Sequence, residues 1–310
     1  MIVTLTLNPS LDRTVEVPAL ERGAVIRSTA AHVEPGGKGV NVSRALLANG
    51  VPSCAVVPYG GEEGRQLVGL LSRAGLDMVT VAVAGSTRSN ITLAEPGGTI
   101  TKVNEPGTAL SPHELERLAR AVLDAARPGD WVVVSGSLPP RMRAEVCAEL
   151  CRLFVAEGLR VAVDTSGPAL TAALAAGPHL VKPNRDELAE ATGIRPVRLG
   201  DAIEAAEKMR AAGARAVLAS LGADGALLVE GGGVWYGTAP ATPRSPVGAG
   251  DAMAAGFLAA GARGPEALAV AVAWGAAAAT LPGSRMPGPA DLNHELVRVG
   301  APDPDRLLHP

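Results

Sequence analysis

From residue 111 to residue 281 short apolar runs alternate with helix-like stretches, and that rhythm constrains the fold more than any other feature of the chain. Ser111-Pro112-His113-Glu114 supplies an N-cap residue, a proline at the first helical position and an acid in the first turn. A helix is expected from there to residue 126, where Pro128-Gly129 stops it. Residues 131–134 read as a strand buried on both faces. Further helices are expected over 141–156, 168–176, 185–192, 201–212, 250–262 and 265–281, with strands at 160–163, 179–181 and 216–220. A hairpin over 226–229 and 234–236 turns on Gly231-Gly232-Gly233. Strands alternating with helices imply an α/β fold with a mostly parallel sheet covered on both faces.

The first 110 residues break this rhythm. Residues 2–7 read as an opening strand and 15–17 as a short alternating segment. Residues 79–83, 90–94 and 100–104 read as further short strands, the last two split by Gly97-Gly98. Helices are expected over 39–49 and 62–74, each followed by a stop, Asn49-Gly50 and Gly75. The short strands are expected to form a small separate sheet, a lid. No internal repeat is visible, and the segment 300–310 is expected to be loosely held.

Composition excludes several functions. Apolar residues are 47% of 310, so the core is sizeable, and a net charge of −3 with 19% charged residues excludes a disordered chain. A nucleic-acid binder would need a basic excess, and seven aromatic residues are few for base stacking. Cys54, Cys147 and Cys151 are too few and too scattered for a disulfide framework. The last two are four residues apart with no nearby partner to complete a zinc set, so all three are expected to be small buried hydrophobes. The apolar opening ends at Asn8-Pro9, too soon for a signal peptide, and the Ala-rich stretch 267–281 is too short to span a bilayer. A soluble cytoplasmic protein without membrane or nucleic-acid partners is expected.

Four segments could carry chemistry. Val247-Gly248-Ala249-Gly250-Asp251-Ala252 opens a helix; its bare N–H groups and the helix dipole make an anion site. An acid inside an anion site is odd. It is either a simple N-terminal acid or a base that takes a hydroxyl proton where phosphate is transferred. Glu34-Pro35-Gly36-Gly37-Lys38-Gly39-Val40-Asn41-Val42 is a second glycine turn into a helix; it is not a P-loop, and it offers Lys38 and Asn41 as donors. Lys182-Pro183-Asn184-Arg185-Asp186-Glu187 carries Asn184 and Glu187 at capping-box spacing. These two either cap the helix or surround Mg²⁺ waters and phosphates. Ser220-Leu221-Gly222-Ala223-Asp224-Gly225 follows a strand and is either a plain turn or a nucleotide loop.

Taken together, in this order and over nearly the whole chain, the segments resemble the PfkB (ribokinase-like) carbohydrate kinases. Residues 36–42 look like the first family signature, 245–256 like the second, and Asn184-x-x-Glu187 like a third family element. Thr6-Leu7-Asn8-Pro9-Ser10-Leu11-Asp12-Arg13 is similar to the phosphofructokinase branch, which includes 1-phosphofructokinases and tagatose-6-phosphate kinases. The resemblance implies one ribokinase-like three-layer α/β/α domain over 1–310, with lid strands inserted at about 12–34 and 86–106.

It also implies ATP-dependent phosphorylation of a hexose phosphate, with fructose 1-phosphate the expected acceptor and 6-phosphofructokinase or tagatose-6-phosphate kinase the alternatives. Asp251 is the implied general base, with Gly248, Ala249 and Gly250 around the phosphoryl group. Asp12, Gly37 and Asn41 are implied to line the sugar pocket, and Arg27, Lys38 and Arg88 to meet the substrate phosphate. Lys182, Asn184 and Glu187 would hold ATP and Mg²⁺, the last two through water. Ser220, Gly222 and Gly225 would border the nucleotide, and adenine is expected near Gly275 and Ser284. Trp274 departs from the small or amide residue expected there.

Two rivals are weaker. A non-catalytic sensor has no use for Asp251, and a nicotinamide enzyme lacks a complete G-x-G-x-x-G after the first strand. Open edges on the lid strands lead to an expected homodimer through the lids.

Overall fold

The computed structural model describes residues 1–309. In chain order the elements are β1 (Ile2–Thr6), β2 (Ser10–Glu16), β3 (Ala30–Gly36), α1 (Lys38–Ala48), β4 (Ser53–Tyr59), α2 (Gly61–Arg73), β5 (Met78–Ala82), β6 (Arg88–Ala94), β7 (Ile100–Asn104), α3 (Pro112–Ala125) and β8 (Trp131–Ser135). They continue with α4 (Glu145–Ala156), β9 (Arg160–Asp164), α5 (Gly167–Leu174), β10 (Leu180–Val181), α6 (Arg185–Thr192), α7 (Leu199–Ala211), β11 (Ala216–Ser220), β12 (Ala226–Glu230), β13 (Gly233–Thr238), α8 (Ala249–Ala259), α9 (Gly264–Thr280) and β14 (Arg298–Gly300).

One sheet has the order β14-β13-β12-β11-β10-β9-β8-β1-β4-β5. From β11 to β5 every pairing is parallel; β12, β13 and β14 close one end antiparallel. Successive side chains on a strand alternate between faces. Val3, Leu5, Val132 and Val134 therefore pack on one face with α3, α4, α5, α6 and α7. Ile2, Val133, Ala162 and Leu218 pack on the other with α1, α8 and α9, while Ala55 and Val57 meet α2. The result is the three-layer arrangement of the ribokinase-like fold.

A second sheet, β3-β2-β6-β7, is built from two excursions of the chain. One leaves after β1 and returns at α1; the other lies between β5 and α3. β2 pairs antiparallel with β3 and parallel with β6, which ties the excursions together.

Several expectations need correction. Residues 79–83 do not join the small sheet: β5 pairs with β4 at the edge of the large one, with Val81 buried beneath α3. β4 was not foreseen, because Pro58 interrupts its apolar run. The helix expected from residue 141 starts at Glu145, because Arg141 adopts a left-handed φ of 62° that no helix continues. The segment 300–309 is tied down. Gly300 ends β14, Leu308 is buried in the core, and the His309 amide donates to Asp224 Oδ2 at 2.8 Å.

α8 and α9 cross closely because Gly256 lacks a side chain. A Cβ there would sit 2.9 Å from Trp274 Cγ and 3.1 Å from the Val270 carbonyl. Trp274 is accordingly a core residue, 4% exposed. Gly256→Ala is expected to lower stability by about 1–3 kcal/mol through overpacking, measured by urea unfolding. An unchanged midpoint would mean that the crossing relaxes freely.

Candidate active site

The chain reverses direction across the large sheet at β1 and β8, and ligands of open α/β sheets bind outside the strand carboxyl ends at such a switch. Thr6, Ser135 and Asp164 are register partners at the ends of β1, β8 and β9, all facing α1 and α8. Lys182 follows β10 directly, and Ser220 ends β11.

α1 starts at this edge. Gly37 precedes it with φ 115°, a backbone open only to glycine, and a Cβ on Gly39 would strike the Thr6 hydroxyl and lie 2.7 Å from Ser135 Oγ. The tight approach delivers Lys38. Its Nζ lies 2.7 Å from Asp164 Oδ1 and 3.3 Å from Glu187 Oε1. Lys182 Nζ lies 3.1 Å from the other Asp164 oxygen. Burial works against the Lys38 charge, but Asp164 and Glu187 outweigh it and hold the ammonium above its ordinary range. Burial likewise opposes ionisation of Asp164, and Lys182 and Lys38 overcome it, so that carboxyl sits below the usual range.

Gly248 caps α8 in a left-handed conformation, φ 79°, and no side chain bonds to the cap. The Ala249 amide turns back to the Pro246 carbonyl at 3.3 Å. Gly250 and Asp251 lie in the first turn, where an amide has no preceding helical carbonyl. A Cβ on Gly250 would be 3.4 Å from Lys182 Nζ, so that ammonium stands beside the helix terminus. Asp251 is 8% exposed and accepts from Asn41 Nδ2 at 2.8 Å through Oδ2. Burial raises its pKa from 3.8 to about 6, with a contribution from Asp164, against the Asn41 bond, Lys182 and Lys38. A carboxylate so placed can take a proton near neutral pH, next to amides and an ammonium that attract phosphate.

On the second sheet, Asp12 and Asn90 are register partners on β2 and β6. Asp12 Oδ1 accepts from Asn90 Nδ2 at 2.9 Å and Ser10 Oγ at 2.7 Å. The carboxylate leans over Gly36, where a Cβ would collide with it. Arg88 donates to the Asn8 and Glu105 carbonyls at 3.3 and 3.0 Å. The three cations expected on one phosphate are thus held differently. Arg88 is on β6, Lys38 is in the Asp164–Glu187 cluster, and Arg27 is exposed on the β2–β3 connection.

On the other side, Asn184 and Glu187 form a complete capping box. Asn184 Oδ1 accepts from the Glu187 amide and Glu187 Oε2 from the Asn184 amide, both at 2.8 Å. The Ser220 amide donates to the Pro183 carbonyl at 3.0 Å, which sets the two loops side by side. Gly222 and Gly225 take φ 65° and 94° between them. Gly275 lies beneath α8, with a Cβ position 3.3 Å from the Ala249 carbonyl. Ser284 does not face open space: its Oγ accepts from Arg44 at 3.2 Å and its amide donates to Glu34 at 3.3 Å.

Sequence reading missed Asp164 and Arg44. An acid ending a buried strand run was the available sign of the first; the second sits three residues after Asn41, on the same helix face. A cavity of about 340 Å³ between β5 and α3 contains none of these residues.

The raised Asp251 pKa has a consequence for stability. Between pH 4 and 6 the folded chain holds a proton that the unfolded chain releases, so this group's contribution falls as pH rises through that window and is unfavourable above it. Asp251→Asn is therefore expected to raise Tm more at pH 8 than at pH 4.5, by calorimetry. An equal change at both would show that the carboxyl titrates normally.

Comparison with known proteins places this geometry. The model of the pfkB family carbohydrate kinases matches residues 5–291. The chain is 40% identical over 260 residues to a 1-phosphofructokinase of Rhodobacter capsulatus, covering 83% of this chain and 82% of that one. It is 37% identical over 292 residues to the ATP-dependent 6-phosphofructokinase isozyme 2 of Escherichia coli, covering 92% and 94%. The crystal structure of phosphofructokinase-2 from Escherichia coli in complex with substrates and products superposes with a TM-score of 0.88 at 37% identity, over 94% and 96% of the two chains. With the ribokinase-like layers, the glycine turns and the buried acid at the α8 terminus on one scaffold, the chain belongs to the PfkB family of carbohydrate kinases.

Proposed function

We propose that this chain transfers the γ-phosphoryl group of ATP to the free primary hydroxyl of a hexose phosphate, with fructose 1-phosphate as acceptor and fructose 1,6-bisphosphate as product. The observation that carries the reading is Asp251, a buried carboxyl with a pKa raised to about 6 at a helix N-terminus beside Lys182. The 40% identity to a 1-phosphofructokinase supports the acceptor. The identity and TM-score to Escherichia coli 6-phosphofructokinases support fructose 6-phosphate as the second reading, and tagatose 6-phosphate stands as a third.

In this reaction the acceptor oxygen bonds to the γ-phosphorus as its proton passes to Asp251 Oδ1, since Oδ2 is engaged by Asn41. The bond from that phosphorus to its bridging oxygen breaks, and ADP leaves with the electron pair. The Gly250 and Asp251 amides, with Gly248 and Ala249 shaping the turn, and Lys182 receive the negative charge of the transferring group. Asp12, Gly37 and Asn41 bind the sugar hydroxyls. Arg88 meets the acceptor phosphate with a planar fork and Arg27, on the β2–β3 connection, adds a second guanidinium, while Lys38 stands apart in the Asp164–Glu187 cluster. Ser220, Gly222 and Gly225 flank the nucleotide, and Gly275 and Ser284 lie toward its base.

Mg²⁺ fits the donor chemistry. Asp164 Oδ2 is buried and, beyond the Lys182 ammonium at 3.1 Å, accepts no aligned hydrogen bond, and hard carboxylate oxygens suit that ion. Asn184 and Glu187 already spend oxygens on their capping box, so they would hold it through water. Bound there with the triphosphate, the ion would neutralise charge on the transferred group.

The second sheet is read as a lid within one kinase domain over 1–310. Its edges, β3 and β7, are open, and Ile100 and Val103 are exposed on β7. Pairing two lids in a homodimer would cover them. Three free, buried cysteines fit a reducing, cytoplasmic setting, and no helix among the described residues is long and apolar enough to cross a membrane.

ADP release should be compared with the three sugar phosphates side by side. A preference of about 100-fold in kcat/KM for fructose 1-phosphate is the expected result, and preference for either other acceptor overturns the assignment. Asp251→Ala is expected to lower kcat by roughly three orders of magnitude or more while ATP still binds; a loss within tenfold would remove it as base. Arg88→Ala is expected to raise KM for the sugar phosphate about tenfold or more with KM for ATP unchanged.

A further inference from the structure

Arg44 is half-buried beside the site, and no step above uses it. Its two Nη1 protons are shared among Asn41 Oδ1 at 3.2 Å, the Pro35 carbonyl at 3.1 Å and Ser284 Oγ at 3.2 Å. Its Nη2 is 3.5 Å from Glu34 Oε1, and Glu34 Oε2 accepts the Ser284 amide. These partners come from β3, from α1 and from the loop after α9. Burial pulls the guanidinium below its ordinary pKa, with Glu34 as the chief opposing charge. A guanidinium held by acceptors on three separate elements has one orientation.

The orientation matters through Asn41. An asparagine amide can face either way, with oxygen and nitrogen exchanged. Arginine can only donate, so the atom that meets Arg44 must be the amide oxygen. The nitrogen is then turned to Asp251, which when ionised can only accept. A reversed amide would set donor against donor on one side and oxygen against carboxylate on the other. Arg44 and Asn41 are three residues apart on one face of α1, so the relay is rigid.

We infer that Arg44 is a positioning residue, which locks the Asn41 amide so that its nitrogen holds Asp251 Oδ2 and leaves Oδ1 directed to the acceptor hydroxyl. The inference rests on Asp251 as the base of the proposed reaction. The other charges bearing on Asp251 are Asp164 at the end of β9, Lys182 after β10 and Lys38 at the start of α1. None of them bonds to Asn41, so none can substitute for Arg44 in fixing the amide.

The test joins kinetics with a measurement that needs no turnover. Arg44→Ala is expected to lower kcat about ten- to a hundredfold through misplacement of the base, with KM for ATP little changed. Loss of the Asn41 donor leaves the carboxylate less stabilised, so the acid limb of the kcat/KM profile moves to higher pH. In ¹⁵N-labelled protein the Asn41 side-chain amide resonances are expected to follow Asp251 ionisation near pH 6, and to lose that dependence in Arg44→Ala. Arg44→Lys keeps the charge without the fork, and serves also if the alanine variant fails to fold. Under this inference it still shows a weakened amide response and a reduced kcat. Wild-type kcat in either folded variant, or an amide response unchanged by them, overturns the role. Full restoration of kcat and profile by lysine overturns it too, because charge alone would then suffice. Full activity in Asp251→Ala would instead overturn the underlying base assignment, whatever Arg44 does.

Discussion

Two carboxylates, Asp164 and Asp251, are buried at the same end of one sheet, and the rest of the site is arranged to make that possible. Ionised carboxylates are tolerated in an interior only with opposite charge or donors close by. Asp164 receives Lys38 and Lys182 on its two oxygens and stays ionised. Asp251 receives one neutral amide, and its pKa rises to about 6. The same end of the sheet thus yields a permanent anion and a titrating carboxyl, and the difference lies in what each was given as a partner. Removing one member of a buried ion pair typically costs about 3–5 kcal/mol, so the Asp164 cluster also anchors α1 and α6 to the strand ends.

That anchoring explains why glycines concentrate here. Gly39 lets α1 approach the hydroxyls of Thr6 and Ser135, and Gly256 lets α8 approach α9. The close approach aligns the starts of α1 and α8. Asn41 and Asp251, 210 residues apart, then meet at 2.8 Å. Arg44 extends the same line of contacts to the root of the second sheet at Glu34 and Pro35. The second sheet and the α8 terminus therefore share one rigid connection.

The chemistry-bearing segments were legible because each is local. A glycine turn into a helix, an Asn-x-x-Glu cap and an acid at a helix start are written within a few consecutive residues. The capping box at Asn184 and Glu187 formed as its spacing demands, with Glu187 still reaching Lys38 through its second oxygen. What could not be read was pairing at long range. The strand at Met78–Ala82 looks like its short neighbours and belongs to the other sheet, since an α2 crossover sets it parallel to β4. The last residues look like a loose tail, yet Leu308 finds a hydrophobic gap that no local pattern announces.

The sequence by itself determined the α/β class, the mostly parallel sheet, the family and the identity of the acid at the α8 terminus, because periodicity, caps and glycine turns are properties of neighbouring residues. Only the tertiary structure decided that Lys38 faces Asp164 and Glu187 rather than standing with Arg88, and that Ser284 faces Arg44. It also brought in Asp164 and Arg44, which carry no motif. Those outcomes depend on which strand ends and helix starts are brought together, and that is settled by packing across the sheet rather than by spacing along the chain.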